Sequence, residues 1–369
     1  MKRVLVVCDS FKGSLSSAEM VQIANDVFHP FPEIELSTRL FADGGEGSLA
    51  CVASVLKGEQ RQVVVPGIFG QPRPAHYLIH RQQAYIEVAA VCGIHDVPIH
   101  QLNPYLASTD GVGWLIRDAI SCGCHTITLF LGGTATVDGG TGMMRALGAQ
   151  FFDDSCTPII QANPLPIFAQ VHWGDFEGLL KGIHFEVVCD VRNALLGSEG
   201  GVRVFGPQKG LLTSDVDNYE QQMMAWMNVL DARFSNHHKM TGFEPFGGAA
   251  GGLGLPFLNN ARASFHLGFD WFRNLLELDL LVQKADLVIT GEGRIDHQTN
   301  MGKGVGQLAL LCRALQKPVY AIAGSTDGQC DLFDQIFLLG DGRLTREESM
   351  HQAAPLFAEQ LEKLIRHLA

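Results

Sequence analysis

The sequence predicts an α/β protein of two domains: a parallel-sheet domain built from both chain ends, and a mixed α/β domain inserted between them. Three observations carry that expectation. Continuous Val/Ile/Leu runs, too short to be helices, lie in two blocks at the ends of the chain, and segments of helical spacing alternate with them. Glycine follows the runs closely, as it does where strands covered on both faces end in ligand-binding turns. The length of 369 residues agrees, since it exceeds one comfortable core and calls for two to three domains at roughly 150 residues each.

At the start, residues 3–8 (RVLVVC) and 34–40 read as strands, and between them Met20, Ile23, Ala24 and Val27 give segment 17–27 the spacing of a helix. That is one βαβ unit. Near the end, 285–290 (ADLVIT), 318–323 (PVYAIA) and 335–339 (QIFLL) alternate with helical stretches at 303–316 and 350–368. The economical solution joins 1–60 and 285–369 into one five-stranded flavodoxin-like (Rossmann-like) domain. Residues 61–284 then form the insertion. It opens with antiparallel strands at 62–65, 75–80 and 84–89, punctuated by Pro66-Gly67 and the turn-rich 70–74. A helix at 110–122 leads to a buried strand at 125–131, and a second such strand is 184–188. The active site is expected in the cleft between the two domains.

Charge narrows the function. There are 27 Lys+Arg against 39 Asp+Glu, a net charge of −12 with no basic run, so the long-range field repels nucleic acid and anionic membrane. The apolar run Val4–Cys8 stops at Asp9, short of the roughly 7 to 15 residues of a signal h-region, and nothing approaches the ~20 apolar residues of a membrane span. The nine cysteines are odd in number and scattered, with only Cys122 and Cys124 close together, which fits neither a zinc site nor a disulfide framework. Reduced thiols in a cytoplasmic, small-molecule enzyme are the expectation.

Polar residues concentrate in glycine-rich turns after the expected strands. The first is Asp9-Ser10-Phe11-Lys12-Gly13-Ser14, where hydroxyls, amides and one lysine can cradle an anion, while Ser14 or Ser16 can cap the following helix. The second, Ala42-Asp43-Gly44-Gly45-Glu46-Gly47-Ser48, places Asp43 and Glu46 to bind Mg²⁺ or to orient a substrate hydroxyl. The third, Gly132-Gly133-Thr134-Ala135-Thr136-Val137-Asp138-Gly139-Gly140, opens a helix and offers amides to phosphate without a P-loop sequence. After the 184–188 strand come Asp190, a candidate base, and Arg203 and Lys209, candidate anion clamps. Finally Glu292, Arg294 and Asp296 crowd the end of the 285–290 strand, with Gly302-Lys303 opening the next helix.

Seven of these segments, taken in order, resemble the class I glycerate kinase family: DSFKGSLS (9–16), ADGGEGS (42–48), GGTATVDGGTGMMRALGA (132–149), CDVRNALLG (189–197), FGPQKG (205–210), GGAAGGLG (247–254) and TGEGRIDHQT (290–299). The likeness runs across nearly the whole chain. It departs from the family pattern at Val137, where Asn is usual, and after Gly302-Lys303, where Pro is usual. The resemblance implies ATP-dependent phosphorylation of D-glycerate, most often at the 2-hydroxyl, by a glycerate 2-kinase acting as monomer or homodimer with Mg²⁺. Within that reading Asp190 is the base, Lys12 meets the transferring phosphate, and Asp43 and Glu46 hold Mg²⁺ or the hydroxyls. Gly132, Gly133, Thr134, Asp138, Gly139 and Gly140 hold the nucleotide phosphates or the substrate. Ser10, Glu46, Glu292 and Asp296 face the substrate, and Arg203, Lys209 and Arg294 compete for its carboxylate. Rival classes are a non-catalytic sugar-acid or phosphate sensor, and a phosphatase or isomerase of phosphorylated sugar acids, neither of which turns over ATP.

Overall fold

The structure, a computed structural model, describes residues 1–174, 176–234, 239–258, 262–300, 304–328 and 330–368. Gly302 and Lys303 lie outside them. In chain order the strands are β1 (Lys2–Cys8), β2 (Ile34–Leu40), β3 (Glu59–Pro66), β4 (Pro72–His80), β5 (Gln83–Glu87), β6 (Thr126–Phe130), β7 (Gln150–Phe152), β8 (Gln170–His172), β9 (His184–Cys189), β10 (Ala263–Leu267), β11 (Leu287–Ile295), β12 (Val319–Thr326) and β13 (Gln335–Leu338). The chain divides into two compact units, one of Met1–Asp43, Ala50–Val55 and Phe269–Ala369, the other of Gly44–Leu49 and Leu56–Gly268. Residues 269–284 thus group with the chain ends, whereas the sequence reading ran the insertion to 284.

The first unit carries a five-stranded sheet in the order β13-β12-β11-β1-β2, every neighbouring pair parallel. That is the flavodoxin-like order, and its direction reverses between β1 and β11, the point at which open α/β sheets bind ligands beyond their carboxyl ends. Val4 to Cys8 of β1 are all buried, which is why the sequence there is uniformly apolar. Helix Ser17–Phe28 covers one face with Met20, Ala24 and Phe28, and it starts at Ser16 through a capping box with Glu19. Helix Ala353–Leu368 adds Phe357, Leu361, Leu364 and Ile365 to the same core.

Two expectations change here. Strand β11 does not end at Thr290 but keeps pairing with β12 through Ile295 and Thr326, so Gly291–Arg294 are strand residues and not a turn. The 350–368 helix is two helices, Arg346–His351 and Ala353–Leu368. The first has its own capping box, Thr345 with Glu348, and Pro355 falls in the first turn of the second, where a missing N–H costs nothing.

The second unit holds a six-stranded sheet, β10-β9-β6-β5-β4-β3, parallel from β10 to β5 and antiparallel from β5 to β3, plus the pair β7-β8. Its core includes fully buried Trp226, which packs beside Phe151, Phe168 and Trp173. Among the described residues no helix is long and apolar enough to cross a membrane, and all nine cysteines are free.

Candidate active site

In the first unit the exit of β1 is fixed before any function is considered. The Asp9 amide donates to Gly291 O of β11 (2.9 Å), and buried Ser17 donates to Cys8 O (2.8 Å) while accepting from the Phe41 amide (3.0 Å). One hydroxyl thereby ties the end of β1 to the segment leaving β2, which carries Asp43. Between Asp9 and the helix the chain makes a tight turn in which Phe11 and Leu15 exchange backbone hydrogen bonds and Gly13 adopts φ +79°. Ser14 Oγ donates to Phe11 O and Ser16 caps the helix, so both serines serve the turn.

A cavity of about 400 Å³ opens at this place, its polar end lined by Asp9, Ser10, Lys12, Asp43, Glu292 and Asp296. Asp9 and Asp43 are only 6% and 7% exposed, an expensive position for two carboxylates. Burial, then the charges of Asp43 and Glu292, hold the Asp9 carboxyl well above its ordinary range; Lys12 and the Ser10 amide (2.8 Å to Oδ1) oppose them. Glu292 is pushed up to about 7, chiefly by burial, although Thr299 Oγ1 donates to its Oε1 at 2.5 Å; Asp296 and Asp43 raise it further and Lys12 lowers it. Thr299 Oγ1 also accepts from the Asp296 amide (3.2 Å), which fixes the turn after β11. Glu292 can therefore give or take a proton near neutral pH. Arg294 is on the cavity wall too, with its guanidinium bonded to both oxygens of Asp327 (2.7 Å each).

The glycine loops of the second unit prove to be fitted into each other. The Gly132 amide donates to Gly44 O (2.9 Å), and a Cβ on Gly132 would lie 2.5 Å from Gly45 Cα, so glycine is required there by packing. The amides expected to cradle phosphate have internal acceptors. Gly139 donates to Gly251 O, Gly140 and Gly142 donate to the Asp138 carboxylate (3.1 and 3.2 Å), Thr141 to Asp138 O, and Met143 to Thr109 Oγ1. Asp138 is fully buried and also accepts from the Thr109 amide and hydroxyl (2.8 Å each). Lys209, 4% exposed, donates to Thr134 Oγ1 (3.2 Å) and Thr136 O (3.0 Å), and burial lowers its pKa to about 8 against the opposing charges of Cys92, Asp190 and Asp138. Of the six expected nucleotide residues only Gly133 is exposed.

Of the remaining expected residues, Asp190 stands near Lys209 and beside Gly44, whereas Arg203 is engaged elsewhere. Asp190 is half-buried at the end of β9. Glu46 is exposed and lies 4.0 Å from His95. Arg203 is committed to Asp217 (2.6 Å) and Glu220 (2.9 Å), which leaves the surface-clamp role with the protein's own carboxylates. Sequence reasoning missed Asp9 and Glu87. Asp9 lies in the first glycine-rich turn, and the signal for it in the sequence is a carboxylate directly after the apolar run Val4–Cys8. Glu87, last residue of β5, accepts from the Leu49 amide (2.9 Å) and from those of Gly47 and Ser48, so it occupies the helix start that follows the second glycine motif. No sequence signal marks that pairing.

A parallel sheet with a lysine and buried carboxylates at its switch point describes a small-molecule enzyme. The sequence profile of the glycerate kinase family matches residues 4–369. A glycerate kinase of Bacillus subtilis (strain 168) is 33% identical over 376 residues, covering 100% of this chain and 97% of its own. A glycerate 2-kinase of Escherichia coli (strain K12) is 33% identical over 327 residues, covering 88% and 85%. A crystal structure of a Salmonella typhimurium LT2 protein assigned as glycerate kinase 2 superposes with a TM-score of 0.79 at 32% identity, over 100% of this chain and 98% of the other. The chain belongs to the glycerate kinase family.

The raised Glu292 pKa has a stability consequence whose sign is fixed. Between 4.5 and about 7 the folded chain binds more protons at this residue than the unfolded chain, so the residue's contribution to stability falls as pH rises through that window. Glu292→Gln, which keeps an acceptor for Thr299, should melt progressively higher relative to the parent from pH 4.5 to 7, with a constant offset above. Parallel melting curves across the window would place the Glu292 carboxyl in an ordinary environment.

Proposed function

We propose that this chain transfers the γ-phosphoryl group of ATP to the 2-hydroxyl of D-glycerate. The observation that carries the reading is the cavity of the first unit, where Lys12 stands among buried carboxylates at the switch point of a parallel sheet. Family membership names a glycerate kinase, and the Escherichia coli relative's designation as a 2-kinase supports the 2-position.

Phosphoryl transfer requires little covalent help from the protein; positioning and charge neutralisation dominate. In the proposed step the 2-hydroxyl oxygen forms a bond to the γ-phosphorus while the bond from that phosphorus to the β,γ-bridging oxygen breaks. ADP leaves, and the hydroxyl proton passes to a carboxylate, for which Asp190 is the proposed acceptor. Lys12 stabilises charge on the equatorial oxygens. Among the described residues no group of three or more His, Cys, Asp or Glu is arranged to hold a metal ion. Mg²⁺ takes one or two carboxylates plus phosphate oxygens, and Asp9 and Asp43 are hard donors of the right kind to hold it together with nucleotide. Held there by Asp9 and Asp43, Mg²⁺ would supply charge neutralisation for the phosphates.

The activity is tested by incubating the protein with ATP, Mg²⁺ and D-glycerate and coupling to enolase alone. Enolase should consume the product directly. A requirement for phosphoglycerate mutase would move the phosphate to the 3-hydroxyl, and no ATP turnover above background across small hydroxy acids would end the kinase reading. Lys12→Ala should lower kcat by about 100-fold or more with only a modest fall in melting temperature, because Lys12 is an exposed turn residue whose charge opposes the raised Asp9 carboxyl. Parent-like kinetics in that variant would return Lys12 to the solvated surface.

A further inference from the structure

The cavity of the first unit is lined by two chemically different sets of side chains. One is the charged set already described. The other is apolar, Phe11, Leu339, Leu344 and Met350, and Arg346 and Ser349 also line the cavity. Phe11 and Leu339 are each 2% exposed and belong to the core of the unit, so this wall is preformed. Glycerate is a three-carbon acid with a polar group on every carbon. It has no surface to place against such a wall, and it fills a fraction of about 400 Å³. A purine nucleoside has both the flat apolar faces and the size. The glycine loop expected to hold nucleotide, residues 132–142, has used the amides of Gly139, Gly140, Thr141, Gly142 and Met143 on its own acceptors.

We infer that the cavity of the first unit holds the nucleoside of the phosphoryl donor, with the base against Phe11, Leu339, Leu344 and Met350 and the phosphates directed toward Lys12. This rests on the proposed kinase activity for the identity of the donor, and it names where the donor sits. Gly324 and Ser325, near the end of β12, give the cavity its strand floor. A Cβ on Gly324 would approach Gly293 O to 2.6 Å, which keeps that floor bare of side chains at its centre. Glycerate is then bound by groups other than this apolar wall.

Two substitutions address the inference without opening the core. Ser325→Phe fills the floor from an exposed position, and Met350→Glu puts a carboxylate on the apolar wall. The readouts are calorimetric titration with the non-hydrolysable ATP analogue AMP-PNP plus Mg²⁺ in the absence of glycerate, the KM values for ATP and glycerate, and the melting temperature. Both variants should weaken AMP-PNP binding and raise the KM for ATP by about tenfold or more, with the glycerate KM within about twofold and melting unchanged. If glycerate is phosphorylated but both variants bind AMP-PNP like the parent, the nucleoside lies elsewhere and only this inference fails. A rise in the glycerate KM alone would make the cavity the acceptor site and overturn it. If the parent binds AMP-PNP and the variants lose it, but no hydroxy acid is phosphorylated, the inference stands and the proposed substrate falls. A parent that neither binds AMP-PNP nor turns over ATP overturns both.

Discussion

The arrangement depends on keeping Asp9 and Asp43 out of water at the place where the strand order reverses. Two like charges in a low-dielectric setting repel, and each loses hydration, so nothing about this pair favours the folded state by itself. The surrounding structure imposes it. Ser17 connects the exits of β1 and β2, the Asp9 amide is held on β11, and the apolar length of β1 anchors the main chain beneath. Lys12 in the next turn and the Ser10 amide supply the opposing charge and dipole. Strain maintained in this way is characteristic of sites where the same groups must handle charge on a ligand.

The second unit shows how differently the same residue types can be used. Its glycine-rich loop has the composition of an anion cradle, yet its amides bind Asp138, Gly251 and Thr109 of the protein itself. Asp138 acts there as a fixed internal acceptor that shapes the start of helix Thr141–Ala146, and Lys209 clamps the loop at Thr134 and Thr136. Glu87 does the equivalent at the helix beginning with Ser48. Asp138 and Lys209 are buried and Glu87 is half-buried, and each is satisfied by several hydrogen bonds, the condition under which such a group is tolerated. The glycines permit the close backbone approach that this bonding requires.

The sheet of the first unit was legible because its central strands β1, β11 and β12 are buried on both faces over continuous apolar runs and could be read directly, and their helices by spacing. The ends were not. Gly291 and Gly293 look like turn residues, but extended pairing with β12 carries the strand past them to Ile295. Strand β10 and the three-residue strands β7 and β8 were missed, since β10 is only partly buried and the others are too short to show a period. For the site, sequence order placed Lys12 and Asp43 just after β1 and β2 and Glu292 late in β11, three neighbouring strands, which is why they converge. It could not say that Arg203 would meet Asp217 and Glu220, or that Asp138 would turn inward, because those outcomes depend on partners that sequence proximity does not identify.

The central claim is that the buried carboxylates at the switch point serve turnover at the expense of stability. Asp9→Asn keeps the shape and the acceptor for the Ser10 amide while removing the charge that Asp43 and Glu292 oppose. Measuring kcat at saturating ATP and glycerate together with thermal melting on one preparation decides it. The account predicts a variant that melts at or above the parent temperature yet turns over at least about 100-fold more slowly. A variant that melts markedly lower while each folded molecule keeps parent turnover would show that Asp9 is a structural residue and would contradict the account.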